Sequence, residues 1–298
     1  MKWPFDRLSV RSVFWRRLHF WAVNNFPSWL VAISMFWISL AFYLVWQTGR
    51  VGLIRNLEII FPGQPLRNFV RGAVVVWNFS WAMTDTWSFI DRREPVDWEI
   101  EGLEALENLG KGGGAILLTA HMGNYDLGSY IFTERTGRRL SVVRVPELDE
   151  KTEELAANKR KAVAGEGFSV AYNLNRESMG LELLERLRNR EIVAIQGDRS
   201  YEGVSSRTVQ ILGTDCLIPS GPFQLAMVAD VPIVPLFVVR SGLHRYRVLT
   251  FDPIHIPKKG HGSREESLSA AAESWTRILE DVLPRWWHQW ASFYEVRA

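Results

Sequence analysis

His121, Gly123, Asn124 and Asp126 stand together in Ala115-Ile-Leu-Leu-Thr-Ala-His-Met-Gly-Asn-Tyr-Asp126, and their types and spacing suit proton transfer. A carboxylate on one imidazole nitrogen fixes the tautomer and leaves the other nitrogen open as a base. His121 and Asp126 are five residues apart, so on an unbroken helix they would point to different sides. They can meet only if the chain bends between them, and Gly123 permits the bend. The N–H groups around Gly123 and Asn124, at a helix start, would then face a developing oxyanion. The expectation is that one short stretch supplies a base, its orienting group and an anion site. The plainer alternative is a core histidine with a capping aspartate.

A second polar cluster, Gly197-Asp198-Arg199-Ser200, follows another uncharged run. The planar fork of Arg199 suits a phosphate or carboxylate. Arg144 ends the strand after the His121 unit and could join it, with Asp198 holding either arginine. A surface salt bridge is the alternative. His19, His244, His255, His261 and His288 are isolated, with no metal-ligand spacing, so neither a metal nor a cofactor is expected. The chain has no Gly-x-Ser-x-Gly elbow and no phosphate-binding Walker loop, which speaks against a serine nucleophile and nucleotide hydrolysis.

Alternating strands and helices must position these groups. Ala115–Thr119 reads as a buried strand after a glycine triplet, with a helix near Asn124–Thr136. Further strands are expected at Trp98–Glu101, Leu140–Val145, Ser169–Ala171, Ile192–Ile195, Thr208–Leu212, Pro232–Val239 and Tyr246–Phe251. Helices are expected at Leu103–Leu109, Glu150–Gly165, Ser178–Arg190, Ser220–Ala229 and Arg264–Val282. The pattern predicts an α/β fold with a central, mostly parallel sheet flanked by helices. His121 and Asp198 then both sit at the carboxyl ends of strands, where open α/β sheets place their reactive groups.

Residues 1–25 carry Lys2, Arg7, Arg11, Arg16 and Arg17 among six Phe and Trp residues, with Asp6 the only acid. Such a segment suits an anionic bilayer surface. Trp29 to Trp46 is then free of charge. As a helix it would measure about 27 Å, near the roughly 30 Å hydrocarbon core. It could span once or lie in one leaflet, and the second is preferred because it keeps the rest of the chain cytoplasmic. Residues 1–50 therefore read as an N-terminal hydrophobic membrane-anchoring segment and 51–298 as the catalytic domain. The chain has 14 tryptophans, a residue that favours the membrane–water interface. The net charge of +2 is too small to suggest nucleic acid as a partner. Cys216 is the only cysteine, so no disulfide forms within the chain.

His121-Met-Gly-Asn-Tyr-Asp126 resembles the motif of the bacterial lipid A late acyltransferases of the lauroyl/myristoyl type, within the wider glycerolipid acyltransferase superfamily. The likeness continues in Arg55-Asn-Leu-Glu-Ile-Ile-Phe-Pro62, in Asp198, in Ile233-Val-Pro235 and in Pro284-Arg-Trp-Trp-His-Gln-Trp290. It covers roughly residues 10 to 292. Two positions depart from it. The acidic loop usually reads Asp-Gln-Asp, whereas Asp198-Arg199-Ser200 is closer to the Glu-Gly-Thr-Arg-Ser loop of glycerol-phosphate acyltransferases. The acid of the main motif is Asp126 where lipid A enzymes often carry Glu.

The resemblance implies an O-acyltransferase at the cytoplasmic face of a bacterial inner membrane. His121 would be the base and Asp126 its partner, with Gly123, Asn124, Arg144, Asp198 and Arg199 around the substrate. The implied donor is acyl carrier protein or acyl-CoA, and the implied acceptor a lipid A precursor or related glycolipid. Another phospholipid acceptor, a lipid hydrolase or thioesterase, and a non-catalytic scaffold are the rivals.

Overall fold

Ala115–Thr119 (β2) is buried along its whole length, which explains its lack of charge. Successive side chains of a strand point to opposite faces. Ile116 and Leu118 face one layer with Phe223, Trp275 and Leu279, while Ala115 and Leu117 face another with Phe132, Leu140 and Val142. The strand is thus the middle of a three-layer sandwich. The computed structural model describes residues 21–22, 25–26, 28–92, 95–102, 104, 109, 112–144, 167–172, 176–201, 203–257 and 263–298.

Among the described residues three helices come first: Ser28–Val45 (α1), Gln47–Ile60 (α2) and Pro65–Arg92 (α3). The strands are Asp97–Glu101 (β1), β2, Leu140–Arg144 (β3), Phe168–Tyr172 (β4), Ile192–Gln196 (β5), Ser206–Ile211 (β6), Thr214–Pro219 (β7), Ile233–Gly242 (β8) and Arg245–Thr250 (β9). Between them lie Tyr125–Thr136 (α4), Arg176–Arg188 (α5) and Gly221–Ala229 (α6), and Arg264–Trp286 (α7) follows. The main sheet has the order β1-β9-β8-β2-β5-β3-β4. Every neighbouring pair is parallel except β8 with β9. The expected α/β architecture is therefore present. Helix α4 covers one face of the sheet, and α5, α6 and α7 cover the other.

Several boundaries differ from the sequence expectation. Thr208–Leu212 is one arm of a separate β6–β7 hairpin, whose second arm the expectation lacks. Leu212 and Gly213 both take positive φ, as a tight two-residue hairpin turn requires. Strand β8 continues past Val239 through a register shift between Arg240 and Gly242. Helix α7 continues past Val282 and through Pro284 to Trp286. Its start is fixed by a capping box between Ser263 and Glu266. The expected helix 150–165 lies outside the described residues, as does most of 103–109.

The apolar run from Trp29 forms α1, but among the described residues no helix is long and apolar enough to cross a membrane. The spanning placement is therefore not met. The basic residues before Trp21 lie outside the described residues. Helix α2 is bound to the C-terminal strap: Asn56 Nδ2 donates to the carbonyls of Ser292 and Tyr294, and Asn56 Oδ1 accepts from Val296 N. Asn56 and Leu57 are both buried there.

Candidate active site

Strands β2 and β5 are parallel neighbours, with Thr119 opposite Gln196. Two residues further along each strand, the same register brings His121 opposite Asp198. Asp198 Oδ1 lies 2.7 Å from His121 Nδ1 and also accepts from the His121 backbone N–H at 3.1 Å. Its Oδ2 accepts from Trp290 Nε1 at 2.8 Å. The carboxylate is 0% exposed and hydrogen-bonded through both oxygens. Such bonds favour the charged form of a buried acid. Burial alone would raise its pKa, but His121, Arg199 and the Trp290 indole outweigh burial and hold it below the usual carboxylate value.

The sequence expectation assigned this role to Asp126, and the structure corrects it. Asp126 lies in the first turn of α4, where a negative charge suits the helix dipole, and pairs with Arg144 across the site. The bend at Gly123 exists but turns Asp126 toward β3 rather than toward the imidazole. Asp198, expected to steady an arginine, instead takes the imidazole.

The expected anion site from Gly123 and Asn124 is also not formed. Gly123 N donates to the Gln289 carbonyl and Asn124 N to the Val238 carbonyl, so both donors are engaged within the fold. Gly123 has φ +62°, and a Cβ there would stand 1.8 Å from the Val238 oxygen, so its role is a close approach of two backbones. Asn124 caps α4 through Leu127 N, accepts from Thr86 Oγ1, and donates to the Ala82 carbonyl and the Tyr246 hydroxyl. Tyr246 in turn donates to the buried Asp85 at 2.6 Å. The pair Gly-Asn therefore positions the loop that carries His121 rather than binding substrate through its backbone.

The C-terminal strap locks this loop from the other side. Ala291 N donates to the His121 carbonyl at 2.7 Å, and Met122 bridges Trp290. The Trp/His-rich segment is thus a brace for the site, because its backbone fixes His121 and its Trp290 indole fixes Asp198.

His121 Nε2 faces the hydroxyl of Tyr201 at 3.2 Å. That hydroxyl accepts from Arg199 Nη2 at 2.6 Å. Arg199 is only 7% exposed, and its guanidinium carbon lies 4.8 Å from the ring centroids of both Tyr201 and Tyr294. Among the described residues its Nε and Nη1 have no hydrogen-bond partner. Burial pushes the His121 imidazole below its ordinary pKa, Asp198 pulls the other way, and Arg199 adds to the lowering. A neutral ring donating from Nδ1 to Asp198 leaves the Nε2 lone pair to receive a proton.

His121, Arg144 and Arg199 line one cavity of about 290 Å³, together with Tyr125, Arg135 and Tyr201. The rest of its lining is largely apolar and includes Leu117, Ile131, Phe132, Leu140, Val142 and Val248 of α4 and the sheet. The size is near the lower end of ligand pockets, about 300 Å³. A base with an ordered tautomer, three guanidinium groups and a largely apolar lining are therefore contiguous. Of the expected site residues, His121, Asp198, Arg144 and Arg199 converge, and Asp126 joins through Arg144. Tyr201, Trp290 and Tyr246 were not expected. Only the adjoining polar cluster Gly197-Asp198-Arg199-Ser200 pointed toward Tyr201.

A family model described as bacterial lipid A biosynthesis acyltransferase matches residues 7–293. No curated protein matches the chain.

Proposed function

The chain belongs to the bacterial lipid A biosynthesis acyltransferase family, and from that premise we propose that it moves a fatty acyl chain from a thioester to a hydroxyl of a lipid A precursor. His121 Nε2 takes the proton of the acceptor hydroxyl. Asp198 keeps the tautomer and stabilises the imidazolium that forms. The alkoxide-like oxygen adds to the thioester carbonyl, and collapse of the tetrahedral intermediate breaks the C–S bond. The imidazolium returns its proton to the leaving thiolate. The guanidinium groups of Arg144 and Arg199 stabilise negative charge on the intermediate or the acceptor. Asp126 holds Arg144 in place. The observation that carries this reading is the His121–Asp198 pair, 2.7 Å long, whose imidazole lines a largely apolar cavity.

The acyl donor in this reading is acyl carrier protein or acyl-CoA, and the site lies at the cytoplasmic face of the inner membrane. A hydrophobic face supports bilayer contact. Ile33, Phe36, Trp37 and Val45 of α1 and Leu66, Val70 and Trp77 of α3 are exposed. Phe36 packs edge-on against Trp77, so the two sets adjoin. A patch of this kind marks an interaction surface, and its tryptophans suit a bilayer interface.

Purified protein given a labelled acyl thioester and a lipid A precursor should form acylated lipid. Release of labelled free acid alone, with acceptor present, would identify a hydrolase and refute transfer. The planar fork of Arg199, which lines the cavity, suits a phosphate, so a phospholipid is the second acceptor to supply.

A further inference from the structure

We infer that Tyr201 holds the place of the acceptor hydroxyl on His121 and thereby makes the site select an alcohol over water. The inference rests on the acyl-transfer reading and concerns what occupies the base before the acceptor arrives.

His121 has one nitrogen to offer, because Nδ1 is committed to Asp198. The other faces the Tyr201 hydroxyl at 3.2 Å. Arg199 Nη2 donates to that same oxygen at 2.6 Å. A guanidinium can only donate, so the tyrosine's own proton is left for Nε2. The phenol therefore makes the bond that an acceptor alcohol must make, with its oxygen beside the base and its proton on the nitrogen. A water molecule cannot occupy that place while the phenol does.

The arrangement is suited to exchange. Tyr201 is 40% exposed and lies in a loop outside any helix or strand. Arg199 does not depend on it for position, because Tyr294 stacks on the guanidinium as well. Departure of the phenol frees Nη2 of Arg199, the nitrogen that faces its oxygen. The vacated place thus offers a base and a guanidinium donor to an incoming hydroxyl-bearing headgroup.

Without the phenol, water would take the same position. Nε2 would remove its proton, the hydroxide-like oxygen would add to the thioester carbonyl, and the C–S bond would break. The thiolate would take the proton back, giving free acid and thiol. Tyr201 suppresses this loss of activated acyl groups.

The test compares full-length wild type with Tyr201→Phe, using a medium-chain acyl-CoA as the donor probe. Thiol release without acceptor and acyl transfer with a lipid acceptor are measured on the same preparations. Phe keeps the ring and removes only the hydroxyl. The ratio of hydrolysis to transfer should rise about fivefold, the worth of one typical hydrogen bond of about 1 kcal/mol. Tyr201→Leu should raise it further, and His121→Ala added to Tyr201→Phe should abolish the excess. An unchanged ratio overturns the inference, as does an excess that survives loss of His121. A stable mass increase of one acyl group on wild-type Tyr201 also overturns it, since the phenol would then be a carrier. If wild type transfers no acyl group to any lipid, the acyl-transfer reading itself fails, which is a separate result.

Discussion

Asp198, and not Asp126, holds the imidazole of His121: Oδ1 lies 2.7 Å from Nδ1, while Asp126 pairs with Arg144. The two acids reach the site by different routes. Asp198 arrives through the register of adjacent parallel strands, and Asp126 through the first turn of the helix that follows His121.

Replacing each acid separates their roles. Asp198→Asn removes the charge that stabilises the imidazolium and should lower kcat by about 10²–10⁴-fold, the usual range for acid–base assistance. Asp126→Asn should lower kcat much less, because it loosens Arg144 and not the base. Steady-state kinetics of the two variants check this. A larger kcat loss in Asp126→Asn than in Asp198→Asn would return the orienting role to Asp126.

The pH profile carries a sign that follows from burial. The His121 pKa lies below its ordinary 6.5, so the free base persists through neutrality. The acid limb of kcat/KM should therefore have its midpoint below pH 6.5, with activity lost as pH falls through it. Asp198 raises the imidazole pKa, so Asp198→Asn should move the residual limb to still lower pH. Asp126→Asn should leave it in place. A wild-type midpoint above 6.5 would contradict this description of the ring.

The Tyr246 hydroxyl joins Asp85 of α3 to Asn124 of the catalytic loop, through bonds of 2.6 and 3.1 Å. Removing it leaves two buried polar groups short of a partner. Tyr246→Phe should cost about 1–3 kcal/mol of stability. It should also lower kcat, because Asn124 caps the helix that follows His121. Thermal melting and kinetics on one preparation decide it. An unchanged melting temperature would show that Asp85 and Asn124 find other partners.

The sheet was legible in the sequence because buried parallel strands are continuous apolar runs, and most of its helices because they fill the stretches between those runs. His121 was legible for the same reason: it stands at the end of the most apolar strand. Its partner was not. Spacing along the chain favours Asp126, whereas pairing depends on β2 lying beside β5, a neighbour 77 residues away in sequence. Gly123 and Asn124 were recognised as special, but their N–H groups are consumed by the carbonyls of Gln289 and Val238, which only the tertiary fold brings near. Tyr201 carried no signal beyond its place in a polar loop.

The rate of acyl transfer in a single turnover, with enzyme in excess over labelled thioester and a lipid A precursor present, tests the central claim most directly. His121→Ala with an unchanged melting temperature should transfer at least about 10²-fold more slowly than wild type. Transfer within a few-fold of wild type by that folded variant would contradict His121 as the base.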